Sequence, residues 1–507
     1  MAQFLAVCQT TENLFLQTSP QSDHLANLHV VHVSAAKPCT IAPTIEYFKF
    51  FSVATKGDII AYMPRLWQKS ESALGSPLIG GGESSGADPV LHAPGGARAL
   101  DTARAIAVFL VFAFAYFLSA LVRAITATLA PTLTQEFSLN ASHLGLLAGG
   151  YFLGFAAMQL PLGAWLDRFG PKKVILTFLS LATLACLAFA LATSFPALLL
   201  ARILCGAGVS ACLMAPLAGY RRWFTPSTMM RTNAWMLMTG SLGMVASTLP
   251  VQWLLPVTGW RVLFFGLAAL VVMAMALIAW RVPRWESTPA QSNRSAPSTS
   301  AYAEIWRHPY FRRMAPIGFF CFGGLVAMQT LWAVPWLIKV VAYTPMQAAT
   351  GLFWINVAML CSFWVWGVVT PWLSRHGFNA DRLIAYGLPI SFLLLALIIQ
   401  ADSHWPVESG VLWALYCVSC TFASLAQPAV GMAFAPALTG RAFSAYNLVI
   451  FVGIFVVQWG LGLLIDTLQT FGLPERLAFQ TSMSLFLLCC IASYVYFLTI
   501  KSHNQTL

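Results

Sequence analysis

Tyr116, Ser119, Arg123 and Thr126 recur at intervals of three, four and three in YFLSALVRAITATLAP, so on a helix they share one face. The stretch is otherwise apolar, and a guanidinium among apolar side chains is costly without a partner. Its planar fork of donors suits two-point recognition of a carboxylate or another flat, oxygen-bearing anion; snorkelling to an interface is the plainer use. Gln329, Trp332 and Trp336 form a second group, spaced by three and four, with Pro335 beside the last. An amide flanked by two indoles makes a pocket wall for a small solute, or a packing surface for lipid or a neighbouring helix. Asn356 and Trp354, Tyr151 and Gln159, Gln427, and Asn447 and Gln458 are further polar or amphipathic candidates, each more commonly a link between helices. Arg202, nearer the end of its apolar run, serves structure or gating as readily as substrate.

The elements that must position these side chains follow from composition. Only 9% of the 507 residues are charged and 58% are hydrophobic, whereas a soluble chain carries about 25% charge. Lipid must therefore be part of the solvent. Twelve apolar runs are long enough to cross the hydrocarbon core: about 105–130, 143–165, 173–193, 197–219, 232–255, 262–281, 312–340, 347–373, 383–401, 410–435, 442–466 and 478–500. Each must be a helix, because each has to satisfy its own backbone hydrogen bonds. The polar stretch 283–311 divides them into bundles at 104–282 and 312–500, with a tail at 501–507. Residues 1–103 hold Gly/Ser/Pro-rich segments and no spanning run, and read as a mostly disordered extension. Most of the eleven cysteines lie inside apolar runs and read as small hydrophobes.

The net charge of +11 is patterned: sixteen Lys and Arg fall in alternate loops on one side and three on the other. Excess basic residues mark the cytoplasmic face, which predicts an inner (plasma) membrane protein with both termini inside. On that side, between the second and third runs, stands GAWLDRFGPKK at 163–173. Gly163 permits close helix approach, Gly170 a tight reversal, and Asp167 can cap a helix or pair with a base on a moving neighbour. The equivalent place in the second half reads TPWLSRHG, matching Leu166, Arg168 and Gly170 with Leu373, Arg375 and Gly377. Arg231 and Asn233 likewise rhyme with Arg441 and Asn447, so the halves read as a duplicated bundle.

Six plus six helices with G-x-x-x-D-R-x-G-x-K-K between the second and third resemble the major facilitator superfamily over about 104–500. YFLGFAAMQLPLGAWLDRFG, LWAVPWL and GRAFSAYNLVIFVGIF resemble anion uptake carriers near the nitrate/nitrite porters and the anion:cation symporters. The resemblance implies an all-α fold of two six-helix bundles and alternating access. It implies a conformational latch made of Gly163, Asp167, Arg168, Gly170 and Lys173. It also implies a monomer moving a small organic or inorganic anion, actively or passively, with Arg123, Tyr116, Gln329, Trp332 and Asn356 as candidate substrate contacts.

Two alternatives stay open: a proton-driven drug or metabolite exporter of the same fold, and a non-transporting sensor. No Asp or Glu lies in the middle of any run, which leaves a proton relay without its usual group. That favours anion exchange, anion-limited symport or facilitated passage. The short linker and tail leave a sensor no output domain. No phosphate-binding loop, catalytic grouping or metal-ligand cluster stands out, so neither an enzyme nor a cofactor is expected; nor is a nucleic-acid partner.

Overall fold

A computed structural model describes residues 100–224, 226–283, 299–400 and 408–500. All but the last four residues of the expected extension, most of the linker and the tail lie outside these. Eleven helices among the described residues are long and apolar enough to cross a membrane. In chain order the spans are α1 (Thr102–Phe137), α2 (Ala141–Leu166), α3 (Arg168–Leu191), α4 (Phe195–Tyr220), α5 and α6, then α7 (Pro309–Lys339), α8 (Pro345–Arg375), α9 (Ala380–Gln400), α10 (Ser409–Met432), α11 (Pro436–Thr470) and α12 (Glu475–Thr499). The long helix Leu249–Arg281 breaks at Gly259, so 249–258 completes α5 and 260–281 is α6. This is the expected all-α architecture of two six-helix bundles.

The fifth span departs from its expected form. It runs over Pro226–Ala246, turns, and restarts at Leu249. Pro250 has no N–H to continue the ladder, and its ring would crowd the preceding turn. The break is well satisfied: the Ser247 and Thr248 hydroxyls donate to the Met244 and Val245 carbonyls at 2.7 and 2.6 Å, and the Ser247 carbonyl accepts from Thr128 of α1 at 2.7 Å.

The duplication is written in the backbone. Gly170, between α2 and α3, has φ 77°, and Gly377, between α8 and α9, has φ 78°. Gly259, between α5 and α6, and Gly472, between α11 and α12, have φ 73° and 87°. All four reversals need a conformation that side chains disfavour, and they fall in two pairs at equivalent places in the halves. The polar stretch between the bundles also contains a short helix, Thr299–Arg307, that packs against α11. Cys417 and Cys420 form a C-x-x-C on α10. Both are buried free thiols, and no group of three His, Cys, Asp or Glu among the described residues could hold a metal.

Candidate functional site

The face of α1 predicted from spacing is held by α2, α4 and α5. Gly240 and Gly243 of α5 leave room for Tyr116 and for the α1 backbone at Phe117. Tyr116, Ser119 and Thr126 are buried, and Arg123 is half-buried. Arg123 Nη2 donates to the Met244 sulfur at 3.4 Å, a weak acceptor, and its Nε is buried with no hydrogen-bond partner. The Tyr116 side chain hydrogen-bonds with Arg123, and the Tyr151 hydroxyl lies within electrostatic reach of its charge.

Arg202 of α4 is wholly buried and acts as a brace. Its Nη1 and Nη2 donate to the carbonyls of Val122 and Arg123 at 2.8 and 3.1 Å, and its guanidinium lies 5.0 Å from the Tyr151 ring centroid. Tyr151 in turn donates to the Ser119 carbonyl at 3.4 Å. The pair reaches α1 because α2 and α4 cross with their backbones almost touching: a Cβ at Gly206 would overlap the Tyr151 carbonyl, and one at Gly154 the Ile203 carbonyl. Spacing alone left Arg202 open; the structure makes it the residue that positions Arg123.

The second predicted group is dispersed. Gln329 donates to Asn356 of α8 at 2.9 Å, and Asn356 donates to the Leu352 carbonyl at 2.9 Å. Trp332 packs on Phe479 of α12 and against Gly145 of α2, its Nε1 buried without a partner. Trp336 meets Trp413 of α10 edge-on. The three therefore do not line one wall. Met328–Trp332 is π-helical, and the wider turn rotates residues that would share a face at ordinary helical pitch. Of the remaining candidates, Gln427 and Asn447 bond each other at 2.6 Å, Gln159 bonds the Phe155 carbonyl, and Trp354 is 51% exposed. A groove of about 630 Å³ walled by Val365, Trp366, Ile390, Leu415 and Phe422 lies on the flank of the second bundle and holds none of the candidate residues.

The two bundles are sealed at the end opposite the basic loops. There α2 and α11 pack backbone to backbone: a Cβ at Gly145 would overlap the Gln458 carbonyl, and one at Gly462 the Ala141 carbonyl. Phe155 and Phe451 also meet across this seam, tilted, with ring centroids 4.4 Å apart. Asp466 of α11 completes it, accepting from the Ala141 and Ser142 amides at 3.0 and 2.8 Å. It thus caps the positive end of α2 from the other bundle, a role its place near the end of α11 did not reveal. Charge-assisted bonds of this kind contribute about 1.5–3 kcal/mol each. Asp466→Asn keeps one acceptor and loses the charge, so we expect it to shift the bundles toward opening at this end by about tenfold. Spin labels at exposed Ser138 and Thr470 report the separation; an unchanged distance distribution would refute the cap as a clasp.

At the basic end the Asp167 side chain lies outside what the structure describes, and the printed contacts of its neighbours are to the first bundle. Gly163 has nothing within 4 Å of where a Cβ would lie, and Arg168 covers the Phe169 ring at 5.1 Å. Lys172 donates to the Ala279 and Val282 carbonyls at 2.8 and 2.7 Å, capping the C-terminal end of α6. Lys173 is exposed. The bundles thus meet through α2 and α11 at the end opposite the basic loops.

Comparisons agree with this geometry. The chain is 26% identical to a gallate transporter of Pseudomonas putida over 377 residues, covering 67% of this chain and 78% of that one. It is 30% identical to a hexuronate transporter of Escherichia coli over 166 residues, covering 32% of this chain and 38% of the relative, well under half of the relative's length. The solved D-xylose–proton symporter superposes with a TM-score of 0.63 at 15% identity, over 79% of this chain and 99% of that one. The profile of the Major Facilitator Superfamily matches residues 112–458, more than half the chain, and with the twelve-helix duplicated fold this makes the protein a transporter of that superfamily.

Proposed function

We infer that this transporter moves a small hydroxylated organic carboxylate, working as a monomer, with Arg123 as the anchor for the carboxylate. One observation carries the reading: a half-buried guanidinium beside the junction of the bundles is met by neutral groups, the Met244 sulfur and the Tyr116 hydroxyl. Gallate and hexuronates, the solutes for which the two relatives are named, share a carboxylate with several hydroxyls. The Gln329–Asn356 amide pair on the facing bundle is suited to those hydroxyls, because an amide both donates and accepts. Tyr116, beside Arg123, supplies a flat surface for the body of the solute. The basic loops face the cytoplasm of the inner (plasma) membrane, so the seam between α2 and α11 lies toward the outside.

Uptake by proteoliposomes tests this. Radiolabelled gallate and glucuronate are expected to enter, and choline and xylose are not. Preferred entry of the cation would overturn the reading. A proton-driven exporter is disfavoured by the lack of a mid-span carboxylate.

The latch has its own signature. Asp167 is proposed to hold the bundles together at the basic end without touching solute. Asp167→Asn is then expected to lower turnover at saturating gallate about tenfold while moving the half-saturating concentration by less than about twofold. A rise in that concentration with unchanged turnover would place Asp167 at the solute instead.

A further inference from the structure

We propose that Gln159 of α2 and the Gln427–Asn447 pair of α10 and α11 form an inner gate, the contact that closes the bundles on the basic side in the opposite stage of the cycle. The register of the seam carries this, whatever the solute.

The seam between α2 and α11 is regular. From the end opposite the basic loops, Ala141 and Ser142 meet Asp466 and Gly462, and Gly145 meets Gln458. Gly149 then meets Phe455, and Phe152 and Phe155 meet Phe451. The two helices run antiparallel, and the contacts advance by three or four residues on each, so each presents one stripe to the other. One turn beyond the last ring contact, the stripes reach Gln159 on α2 and Asn447 on α11. Small residues follow, Gly163 on α2 and Gly440 on α11. At the far end of the seam, Gly145 and Gly462 lie against backbone of the other bundle. Gly163 and Gly440 have nothing within 4 Å of where a Cβ would lie, among the described residues. The stripes therefore continue past their present contacts with an amide layer and then with room for close approach.

The amides have unused capacity of opposite kinds. Gln427 Nε2 donates to Asn447 Oδ1 at 2.6 Å, which leaves the N–H groups of Asn447 to be satisfied. Gln159 Nε2 donates to the Phe155 carbonyl at 3.4 Å, which leaves the Gln159 oxygen as an acceptor. Gln159 is buried, and Gln427 and Asn447 are half-buried. The layer lies on the basic side of the α1 face: Tyr151, which bonds the Ser119 carbonyl, precedes Gln159 by eight residues, about 12 Å along α2.

Rocking of the bundles opens one end as it closes the other. As the seam parts at Asp466, the same stripes come together toward the basic side in the register that their existing contacts set. Gln159 then accepts from Asn447, whose own oxygen stays with Gln427. Neutral amides suit a contact made and broken in every cycle, because their bond is worth little while water reaches it and more once water is excluded. The charge-assisted cap at Asp466 is the stronger hold at the other end.

Two measurements on the full-length protein test this. In the first, a protease site is inserted in the linker, and Cys8, Cys39, Cys361 and Cys489 are replaced by serine. Cysteines at Gln159 and Asn447 are then expected to be bridged by a short bifunctional maleimide, so that the halves stay joined on a denaturing gel after cleavage. The pair Gln159→Cys and Leu448→Cys, turned off the stripe, is expected to bridge at least about fivefold less. No bridging at Asn447, or equal bridging of both pairs, would overturn the gate. In the second, Gln159→Leu and Asn447→Leu are each expected to lower saturating gallate turnover about fivefold, with the half-saturating concentration within about twofold, and the double variant to be no slower than the slower single one. Multiplying losses, or a change confined to the half-saturating concentration, would also overturn it. Failure of gallate to enter with the parent protein would overturn the substrate reading alone, since the bridging decides the gate without any solute.

Discussion

Arg123→Gln is expected to abolish transport while leaving a folded protein in the membrane. Glutamine keeps a polar head of similar reach but loses the charge and the two-donor fork. Removing one partner of a buried charge pair costs about 2–5 kcal/mol, so gallate uptake is expected to fall by at least about thirtyfold. Arg123→Lys keeps the charge without the fork and is expected to be severely impaired as well. Folding is expected to be spared because the side chain's partners, a thioether and a tyrosine hydroxyl, are neutral. Arg202→Gln makes the contrast. It removes two hydrogen bonds to the α1 backbone and the contact with Tyr151, so it is expected to lower the melting temperature. Rates of uptake together with thermal unfolding of the purified variants separate the two roles. A normal rate in the Arg123→Gln protein would leave Arg123 as an interface anchor and remove the reason to expect an anion.

Gly206→Val is expected to prevent folding. The new side chain would occupy the space of the Tyr151 carbonyl, and the neighbouring Gly154 already leaves no slack against Ile203. Overpacking against a flexible side chain costs about 1–3 kcal/mol; here the obstacle is backbone, and relief requires that α2 and α4 separate. Their separation would withdraw Tyr151 and Arg202 from α1, so the site would be lost with the fold. Size-exclusion chromatography of the detergent-solubilised variant is expected to give aggregate in place of a single peak. Gly163→Ala provides the control, since its added methyl meets nothing within 4 Å. That variant is expected to fold normally and to transport more slowly if the latch closes over this position. A monodisperse, active Gly206→Val protein would show that the crossing of α2 and α4 is looser than described.

The same residues mark the boundary between what was legible in the chain and what was not. The spans, the division into two halves and the basic side follow from the sequence because the hydrocarbon core sets a length and loop charge sets an orientation. Arg123 stands out for the same reason: a charge inside an apolar run is costly unless it finds a partner or reaches an interface. The pairing of Gly170 with Gly377 was visible as a rhyme in the sequence, whereas Gly259 and Gly472 have only their backbone angles in common. Helix-face arithmetic worked on α1, which is regular, and failed on α7, where a π-helical turn sends Gln329, Trp332 and Trp336 to different neighbours.

What no one-dimensional pattern contains are contacts whose partner is main chain from a distant helix. Arg202 reads as an isolated cation until the carbonyls of Val122 and Arg123 are placed beside it. Asp466 reads as a loop-end acid until the amides of Ala141 and Ser142, more than three hundred residues away in the chain, meet both of its oxygens. Every residue has a carbonyl and nearly every one an amide, so the sequence cannot single out which of them a charged side chain will find. The sequence by itself determined a twelve-helix anion-type carrier with a cation inside its first helix. Only tertiary packing decided which charges brace the helices and at which end the two bundles pack backbone to backbone.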